Sequence, residues 1–268
     1  MNLDDPFMLI DTHAHLTFKD FADDLEGVIA RAAEAGVTRI ITIGTSLESS
    51  RLGVELAEKY PGVFATVGIH PDNAVKVPPD FIANLRALAR SPRVVAIGEI
   101  GLDYFRRSQE RIVAEKSIQA AVFTQQLELA GELGLNVEIH ERDAWDDLLA
   151  LLAPFAGGVR GQFHCFSKSL AHAEAVIAHG HLVSFTGIAT FKNASVVQDT
   201  AARVSPGSFM VETDCPYLAP VPFRGKRCEP AHTRATAEHI ATLRGMPIAD
   251  LAAETTATAE SFFRFPTA

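Results

Sequence analysis

Short apolar segments alternate with longer amphipathic segments along almost the whole chain. The short segments are four or five residues long and rich in Val, Ile and Phe, a composition that favours buried, extended backbone. They predict eight strands, over residues 9–12, 39–43, 63–67, 94–97, 136–139, 159–163, 181–184 and 208–211.

The amphipathic segments predict helices, and turn-forming residues mark the ends of some of them. Gly36 follows the helix predicted over 23–35 and favours the left-handed conformation that is common at helix C-termini. Pro61 follows the helix predicted over 47–59 and restricts the residue before it to extended backbone. The other helices are predicted over residues 80–89, 113–133, 144–152, 170–178, 194–204, 231–243 and 248–263.

Alternating strands and helices predict an α/β fold in which parallel strands are joined by helical crossovers. Eight such units are the number that closes a (β/α)8 TIM barrel. An open doubly wound sheet is the alternative, but the strand count and the length of 268 residues favour the barrel. The chain has no linker-like or low-complexity segment, so we expect one domain over residues 1–268, with residues 1–7 as a disordered N-terminal extension.

The net charge of −9 restricts how the protein can bind its partners. Proteins that coat nucleic acids by general electrostatic attraction are usually basic. If this protein binds nucleic acid, the attraction must therefore be local, from bound cations and from a few Arg and Lys side chains around a cleft.

Three features of the sequence indicate a cytoplasmic protein. The N-terminus is acidic and has no basic segment followed by a long apolar one, so we expect no secretory signal. No apolar stretch approaches the roughly 20 residues that a membrane helix needs. Cys165, Cys215 and Cys228 are odd in number and form no Cys-x-x-Cys pair, which argues against a disulfide framework.

Histidine and carboxylate side chains follow the ends of several predicted strands. His13 and His15 come after the first strand, and their spacing puts both imidazoles on one face of an extended segment. Alone, this pair is better explained by coincidence than by a metal site. Four later strand ends are also followed by such residues, however, and the active sites of these barrels lie where the strands end. The four residues are Glu99, His140, His164 and Asp214.

These six side chains form a plausible set of metal ligands. Four imidazoles and two carboxylates suit Zn²⁺, Mn²⁺ or another divalent ion, and Mg²⁺ if water completes its coordination shell. Six donors exceed the need of one four-coordinate ion with an open position. We therefore expect two divalent ions that activate a water molecule, with Glu99 as the bridging ligand. Asp214 is the expected ligand or general base for that water, because its strand comes last and closes against the first.

Seven motifs follow one another over nearly the whole chain. They are Asp11-Thr12-His13-Ala14-His15-Leu16, Gly68-Ile69-His70-Pro71, Gly98-Glu99-Ile100-Gly101-Leu102-Asp103-Tyr104, Ile139-His140-x-Arg142-Asp143-Ala144, His164-Cys165-Phe166-Ser167, Glu212-Thr213-Asp214-x-Pro216-Tyr217-Leu218 and Arg224-Gly225-Lys226-Arg227-x-Glu229-Pro230. In this order they resemble the TatD family of metal-dependent deoxyribonucleases. The resemblance implies a (β/α)8 barrel of the metal-dependent hydrolase type.

The resemblance also implies a site and an activity. One ion would bind His13, His15, Glu99 and Asp214, and the other would bind Glu99, His140 and His164. The implied reaction is hydrolysis of phosphodiester bonds in DNA, often as a 3′–5′ exonuclease on single strands and commonly with Mg²⁺. Asp214 and Glu99 would be the catalytic residues.

Four further residues are candidates for substrate binding. His70 could contact substrate or fix a loop by a hydrogen bond. Arg142 could bind a phosphate through its guanidinium or pair with a neighbouring carboxylate such as Glu141 or Asp143. Arg224 and Lys226 belong to the densest basic run of the chain and are candidates for holding a DNA backbone. Aromatic side chains that could stack on unpaired bases are Tyr104, Phe105, Phe166, Tyr217 and Phe223.

Two other functions are compatible with the same ligands. A dinuclear site can polarise a carbonyl, as in an amidohydrolase or a D-aminoacyl-tRNA deacylase. Many amidohydrolases bridge their metals with a carbamylated Lys at the fourth strand, where this chain has Glu99, so the first of these is less favoured. A non-catalytic binding protein is disfavoured by the complete ligand set. We expect a DNA substrate, no membrane and no obligate protein partner, and a monomer suffices because one barrel supplies every ligand.

Overall fold

The structure is a computed structural model that describes residues 7–105 and 109–266. Residues 1–6 of the predicted N-terminal extension lie outside the described residues. Phe7, the last residue of that prediction, is buried, with 8% of its surface exposed. Within the described part of the chain, no helix combines the length and the apolar character that crossing a membrane requires.

Each predicted strand overlaps one observed strand. The strand order in the sheet equals the order along the chain. The fourth and fifth strands continue beyond their predicted ends, so that Glu99 and His140 lie inside them. The strands are β1 (Leu9–Ala14), β2 (Val37–Thr42), β3 (Val63–Val67), β4 (Val94–Asp103), β5 (Asn136–Arg142), β6 (Gly161–Phe163), β7 (Leu182–Phe185) and β8 (Phe209–Val211).

Each predicted helix is also present. The helix after β2 begins at an N-cap, since the Ser46 hydroxyl accepts a hydrogen bond from the Ser49 amide at 3.1 Å and the Ser46 amide donates to the Ser49 hydroxyl at 2.9 Å. The helices are α1 (Leu25–Glu34), α2 (Leu47–Lys59), α3 (Phe81–Leu88), α4 (Gln109–Leu133), α5 (Trp145–Leu152), α6 (Leu170–Ile177), α7 (Ser195–Arg203), α8 (Thr233–Arg244) and α9 (Ile248–Phe263).

The chain divides into two compact units, and the prediction of a single domain stays a prediction. The first unit comprises Met1–Thr42 and Cys165–Arg264. In it β1 pairs in parallel with β2, and β7 pairs in parallel with β8. A parallel bridge between Ala14 and Cys215 joins the end of β1 to the segment after β8. The residues that follow β1 and β8 therefore emerge side by side.

The second unit comprises Ile43–His164 and Phe265–Ala268. Its strands β3, β4, β5 and β6 pair in parallel in that order. Every residue of β3 and β4 is buried, which explains why the segments predicted as strands over 63–67 and 94–97 are largely apolar and show no alternation of polar side chains. Because the strands are parallel, their C-terminal ends meet at the same edge of the sheet.

Two glycines allow β3 and β4 to end in close contact. A Cβ atom at Gly68, directly after β3, would lie 2.7 Å from the carbonyl carbon of Gly98 in β4. A Cβ atom at Gly98 would in turn overlap the side chain of Glu138 in β5. The motifs around His70 and Glu99 therefore need glycine for the approach of neighbouring backbones.

We expect Gly68→Ala to lower the free energy of unfolding by about 1–3 kcal/mol, because the added methyl group must displace the backbone of β4. Urea unfolding followed by circular dichroism measures the change. Gly131→Ala in α4 is the matched control, since its Cβ would meet Val159 at an ordinary 3.6 Å and alanine favours helix. If Gly68→Ala had the same free energy of unfolding as wild type, the close packing of Gly68 against β4 would be contradicted.

Candidate metal centre

In the second unit, imidazoles from three strand ends surround the carboxylate of Glu99. Glu99 lies in β4 and is buried, with 3% exposed. Its Oε1 atom lies 2.8 Å from Nδ1 of His140 and 2.9 Å from Nε2 of His164. These two nitrogens are 3.3 Å apart. Three donor atoms of the predicted set thus converge on one point, and their chemistry suits a divalent transition metal ion.

His70 belongs to the same cluster, although the sequence suggested only a substrate or loop contact. Its Nε2 lies 3.6 Å from Oε1 of Glu99, and its ring stands edge-on to His140 with centroids 4.4 Å apart. Its Nδ1 accepts a hydrogen bond from the Asp72 amide at 3.1 Å. The loop-fixing hydrogen bond is therefore present, and the proton of the neutral ring is left on the nitrogen that faces Glu99.

The charges within the cluster compensate one another. Burial alone would raise the pKa of the Glu99 carboxyl, but the nearby imidazoles of His164 and His70 outweigh it and hold that pKa well below its usual range. Burial disfavours a charged His140, but its hydrogen bonds to Asp103 and Glu99 raise its pKa to about 9. Burial lowers the pKa of His70 to about 4. At neutral pH the ionised carboxylate of Glu99 thus faces a protonated His140.

Asp103 is a functional candidate that the sequence reasoning missed. Its Oδ2 accepts a hydrogen bond from Nε2 of His140 at 3.1 Å, which leaves Nδ1 to face Glu99 and His164. A carboxylate in this position fixes the orientation of a metal-binding histidine. The signal was available, since Asp103 lies four residues after Glu99 and so on the same face of one strand.

In the first unit, His13, His15 and Asp214 form a second cluster. Oδ1 of Asp214 lies 3.2 Å from Nε2 of His15 and 3.7 Å from Nε2 of His13. Both histidines are buried, whereas 15% of the Asp214 side chain is exposed. The donor atoms of all three residues lie within 4.8 Å of one another, close enough to hold one ion.

The backbone at Asp214 has an unusual conformation. Its φ of 56° is in the left-handed region, which Asp tolerates better than most residues with a Cβ atom. The conformation is held from both sides, because the Asp214 amide donates to the His13 carbonyl at 2.9 Å and its carbonyl accepts from the Tyr217 amide at 3.0 Å. The turn directs the carboxylate towards the two histidines.

Two other buried carboxylates of this unit brace the backbone. Asp11 accepts hydrogen bonds from the amide and hydroxyl of Thr213, at 2.9 and 2.6 Å. Burial raises the pKa of Asp11 to about 8 despite these hydrogen bonds. Glu212 accepts from the Cys165 amide at 2.6 Å and from the Ser184 hydroxyl at 2.7 Å. Both carboxylates accept hydrogen bonds from amides and hydroxyls, whereas Glu99 and Asp214 face imidazoles.

The basic candidates for substrate binding lie on the surface. The guanidinium of Arg142 lies over the Phe105 ring at 3.6 Å, and among the described residues it forms no ion pair with Glu141 or Asp143. The guanidinium of Arg224 lies over the Phe191 ring at 3.8 Å, and Lys226 is exposed. All three cations remain available to solvent, and their role in substrate binding stays a prediction.

Arg227, the last cation of the same basic run, has a structural role instead. It donates to both oxygens of Asp24 at 2.9 Å and to Glu229 at 2.8 Å. Arg31 in α1 donates to the same two carboxylates, at 3.0 and 2.7 Å. This network fastens the loop after β8 to α1 and so fixes the base of the segment that carries Arg224 and Lys226.

Comparison with known proteins shows relatives over nearly the full length. The profile of the family described as TatD related DNase matches residues 10–264. Over 258 residues the chain is 38% identical to the uncharacterized metal-dependent hydrolase YabD of Bacillus subtilis, covering 96% of this chain and 99% of that protein. Over 265 residues it is 35% identical to the 3′-5′ ssDNA/RNA exonuclease TatD of Erwinia billingiae, covering 96% and 100%.

A solved structure has the same fold. The crystal structure of YJJV, a TatD homologue from Escherichia coli K12, matches with a TM-score of 0.88 at 30% sequence identity, covering 96% of this chain and 98% of that chain. The predicted (β/α)8 TIM barrel is therefore confirmed, and the open doubly wound sheet is excluded.

We expect Asp103→Asn to lower the pKa of His140 from about 9, because the substitution removes an anion that favours the imidazolium. Nuclear magnetic resonance titration of the His140 ring in metal-free protein measures this change. If His140 also binds metal, the affinity for Mn²⁺ should fall about 10–100-fold in calorimetry. An unchanged His140 titration would contradict the contact with Asp103.

The Arg227 network predicts a pH dependence of stability. Hydrogen bonds from Arg227 and Arg31 lower the pKa of Asp24 from 3.8 to about 2, so the ionised carboxylate stabilises the fold above pH 4 and this contribution is lost as the pH falls towards 2. Asp24→Asn should therefore lower Tm at neutral pH and approach the wild type in acid. Gly131→Ala changes no charge and is the control. A Tm difference that stays constant down to pH 2 would disprove the linkage.

Proposed function

The chain belongs to the TatD related DNase family, and we propose that it is a divalent-metal-dependent deoxyribonuclease acting on 3′ ends of single-stranded DNA. The observation that carries the proposal is the convergence of a carboxylate with imidazoles in each compact unit. The name of the Erwinia billingiae relative supports 3′–5′ polarity and makes RNA a second substrate to test. The monomeric state and the cytoplasmic location stay predictions.

We propose two metal ions, as the resemblance to the family implies. One would be held by His13, His15, Glu99 and Asp214, and the other by Glu99, His140 and His164. The convergence of His13 and His15 on Asp214, and of His140 and His164 on Glu99, supports this assignment. The donor set fits Zn²⁺ and Mn²⁺, and Mg²⁺ where water supplies further ligands.

Divalent ions bound there would lower the pKa of an attacking water molecule and stabilise charge on the phosphoryl oxygens. Asp214 is the proposed acceptor of the proton from that water, because 15% of its side chain is exposed and a substrate can reach it. Only 4% of the Glu99 side chain is exposed, so Glu99 is proposed to hold cations without exchanging protons with solvent. Arg142, Arg224 and Lys226 are proposed to bind the nucleic acid backbone.

The test is hydrolysis of labelled single-stranded DNA by metal-free protein and by protein loaded with Mg²⁺, Mn²⁺ or Zn²⁺. We expect metal-dependent cleavage, and a loss of kcat of about 10²–10⁴-fold in Asp214→Asn, as is typical when a general base is removed. Glu99→Gln should lose both activity and bound metal, measured by mass spectrometry. Labels at the 5′ or the 3′ end distinguish the direction of cleavage.

Asp199→Asn is the matched control, because Asp199 is exposed in α7 and, within the described part of the chain, its ion pair is with Arg203 one helical turn away. It should retain full activity. Cleavage that persists undiminished in both Asp214→Asn and Glu99→Gln would reject the proposed site. Hydrolysis of D-aminoacyl-tRNA without any cleavage of DNA or RNA would reject the nuclease function in favour of ester hydrolysis at a carbon centre.

A further inference from the structure

Most of the aromatic side chains that could stack on a base are already covered. Phe105 lies beneath the guanidinium of Arg142. Phe223 is stacked on His232, with ring centroids 4.0 Å apart and an interplanar angle of 10°. Phe166 is buried, with 5% exposed. Phe105 and Phe223 thus each have one face in contact with a neighbour, and Phe166 is shielded from solvent, so these rings contribute to packing.

Tyr104 also contacts neighbouring side chains through both its hydroxyl and its ring. Its hydroxyl donates to Asp147 at 3.1 Å, and the ammonium group of Lys116 lies 5.5 Å from the centre of its ring. The Lys116 ammonium is itself paired with Asp147 at 2.5 Å. This ring is therefore part of a polar contact between α4, α5 and the end of β4.

Tyr217 differs from all of these rings. It is 54% exposed and is the one aromatic residue among the described residues that is mainly exposed. Its neighbours stand edge-on to it: the centroid of Phe18 is 6.2 Å away at an interplanar angle of 77°, and that of His15 is 6.5 Å away at 67°. No described ring stacks in parallel on Tyr217, so a parallel partner is missing.

The position of this ring is fixed by the structure beneath it. Phe18 stacks on His15 with centroids 4.6 Å apart at 18°, and both rings form the wall against which Tyr217 packs. The Tyr217 amide donates to the Asp214 carbonyl at 3.0 Å, and the Cys228 amide donates to the Pro216 carbonyl at 3.0 Å. The exposed ring is thus held three residues from a predicted catalytic carboxylate.

We propose that Tyr217 is a stacking platform for the unpaired base of a nucleotide whose phosphate lies at the His13, His15 and Asp214 cluster. The inference rests on the proposed nuclease function and adds a substrate subsite to it. Any base can stack on an exposed aromatic ring, so the contact tolerates different base identities. The face of the base must be free, however, and in a duplex both faces are already stacked on neighbouring base pairs. The platform would therefore select single-stranded or frayed ends.

The phenol of Tyr217 is uncharged at neutral pH, as tyrosine side chains ordinarily are, so the ring does not repel a phosphodiester. The hydroxyl is not needed for stacking, so Tyr217→Phe should retain binding whereas Tyr217→Ala should lose it.

The first test measures binding. An oligonucleotide with 2-aminopurine as its 3′-terminal base, and a phosphorothioate at the last linkage to slow hydrolysis, is titrated with Mg²⁺-loaded protein. Stacking quenches 2-aminopurine emission, so wild type and Tyr217→Phe should quench it. Tyr217→Ala should abolish the quenching and raise Kd about tenfold. Val221→Ala, which trims an exposed apolar side chain of the same loop, should behave as wild type.

The second test separates base binding from chemistry. Wild type should show a KM about tenfold lower for a 3′ end that carries a base than for an abasic 3′ end, with similar kcat. In Tyr217→Ala the two KM values should become equal, whereas a merely structural role would change kcat for both substrates alike. If Tyr217→Ala kept the tenfold difference in KM between the two substrates and quenched 2-aminopurine like wild type, Tyr217 would not be the stacking platform.

The experiments can reject the nuclease function and the Tyr217 platform separately. If no metal supports cleavage of DNA or RNA while quenching still depends on Tyr217, the nuclease function is wrong and the platform stands. If cleavage depends on metal and on Asp214 but neither quenching nor KM depends on Tyr217, the platform is wrong and the nuclease function stands.

Discussion

The candidate site depends on the burial of one carboxylate in the middle of a sheet. Glu99 is almost inaccessible to water, and an isolated charge in such a place would be strongly unfavourable. Imidazoles from the ends of neighbouring strands compensate it, and the raised pKa of His140, about 9, keeps that ring protonated at neutral pH. The same arrangement lets a cation replace that proton, so metal binding at this point would be coupled to proton release.

The partners of four carboxylates near the strand ends distinguish two kinds of acidic residue. Asp11 and Glu212 accept hydrogen bonds from backbone amides and from Thr or Ser hydroxyls, and so hold strand ends in place. Glu99 and Asp214 face imidazole nitrogens and can share a cation with them. Asp11, Glu212 and Glu99 are buried and Asp214 is partly exposed, but it is the kind of partner and not the degree of burial that separates the two pairs.

Much of this could be predicted from the sequence, for physical reasons that also explain the omissions. Buried parallel strands produce continuous apolar runs, so the eight strands and the residues after them were recognisable. Asp103 was missed because β4 was predicted to end at Ile97, whereas the strand continues through polar positions whose burial depends on β5. The structural role of Arg227 could not be predicted either, because its partner Asp24 is 203 residues away in the sequence.

The left-handed backbone at Asp214 has a consequence for genetic variation at this position. Residues with branched or bulky side chains are unfavourable at a φ of 56° whatever their chemistry, and Gly, Asn and Asp are the residues best tolerated there. Natural or laboratory variation at this position is thus restricted by conformation, and under the proposed function also by the need for an anion. Of the three residues best tolerated there, aspartate alone carries a charge, so asparagine and glycine would keep the fold and remove the proposed proton acceptor.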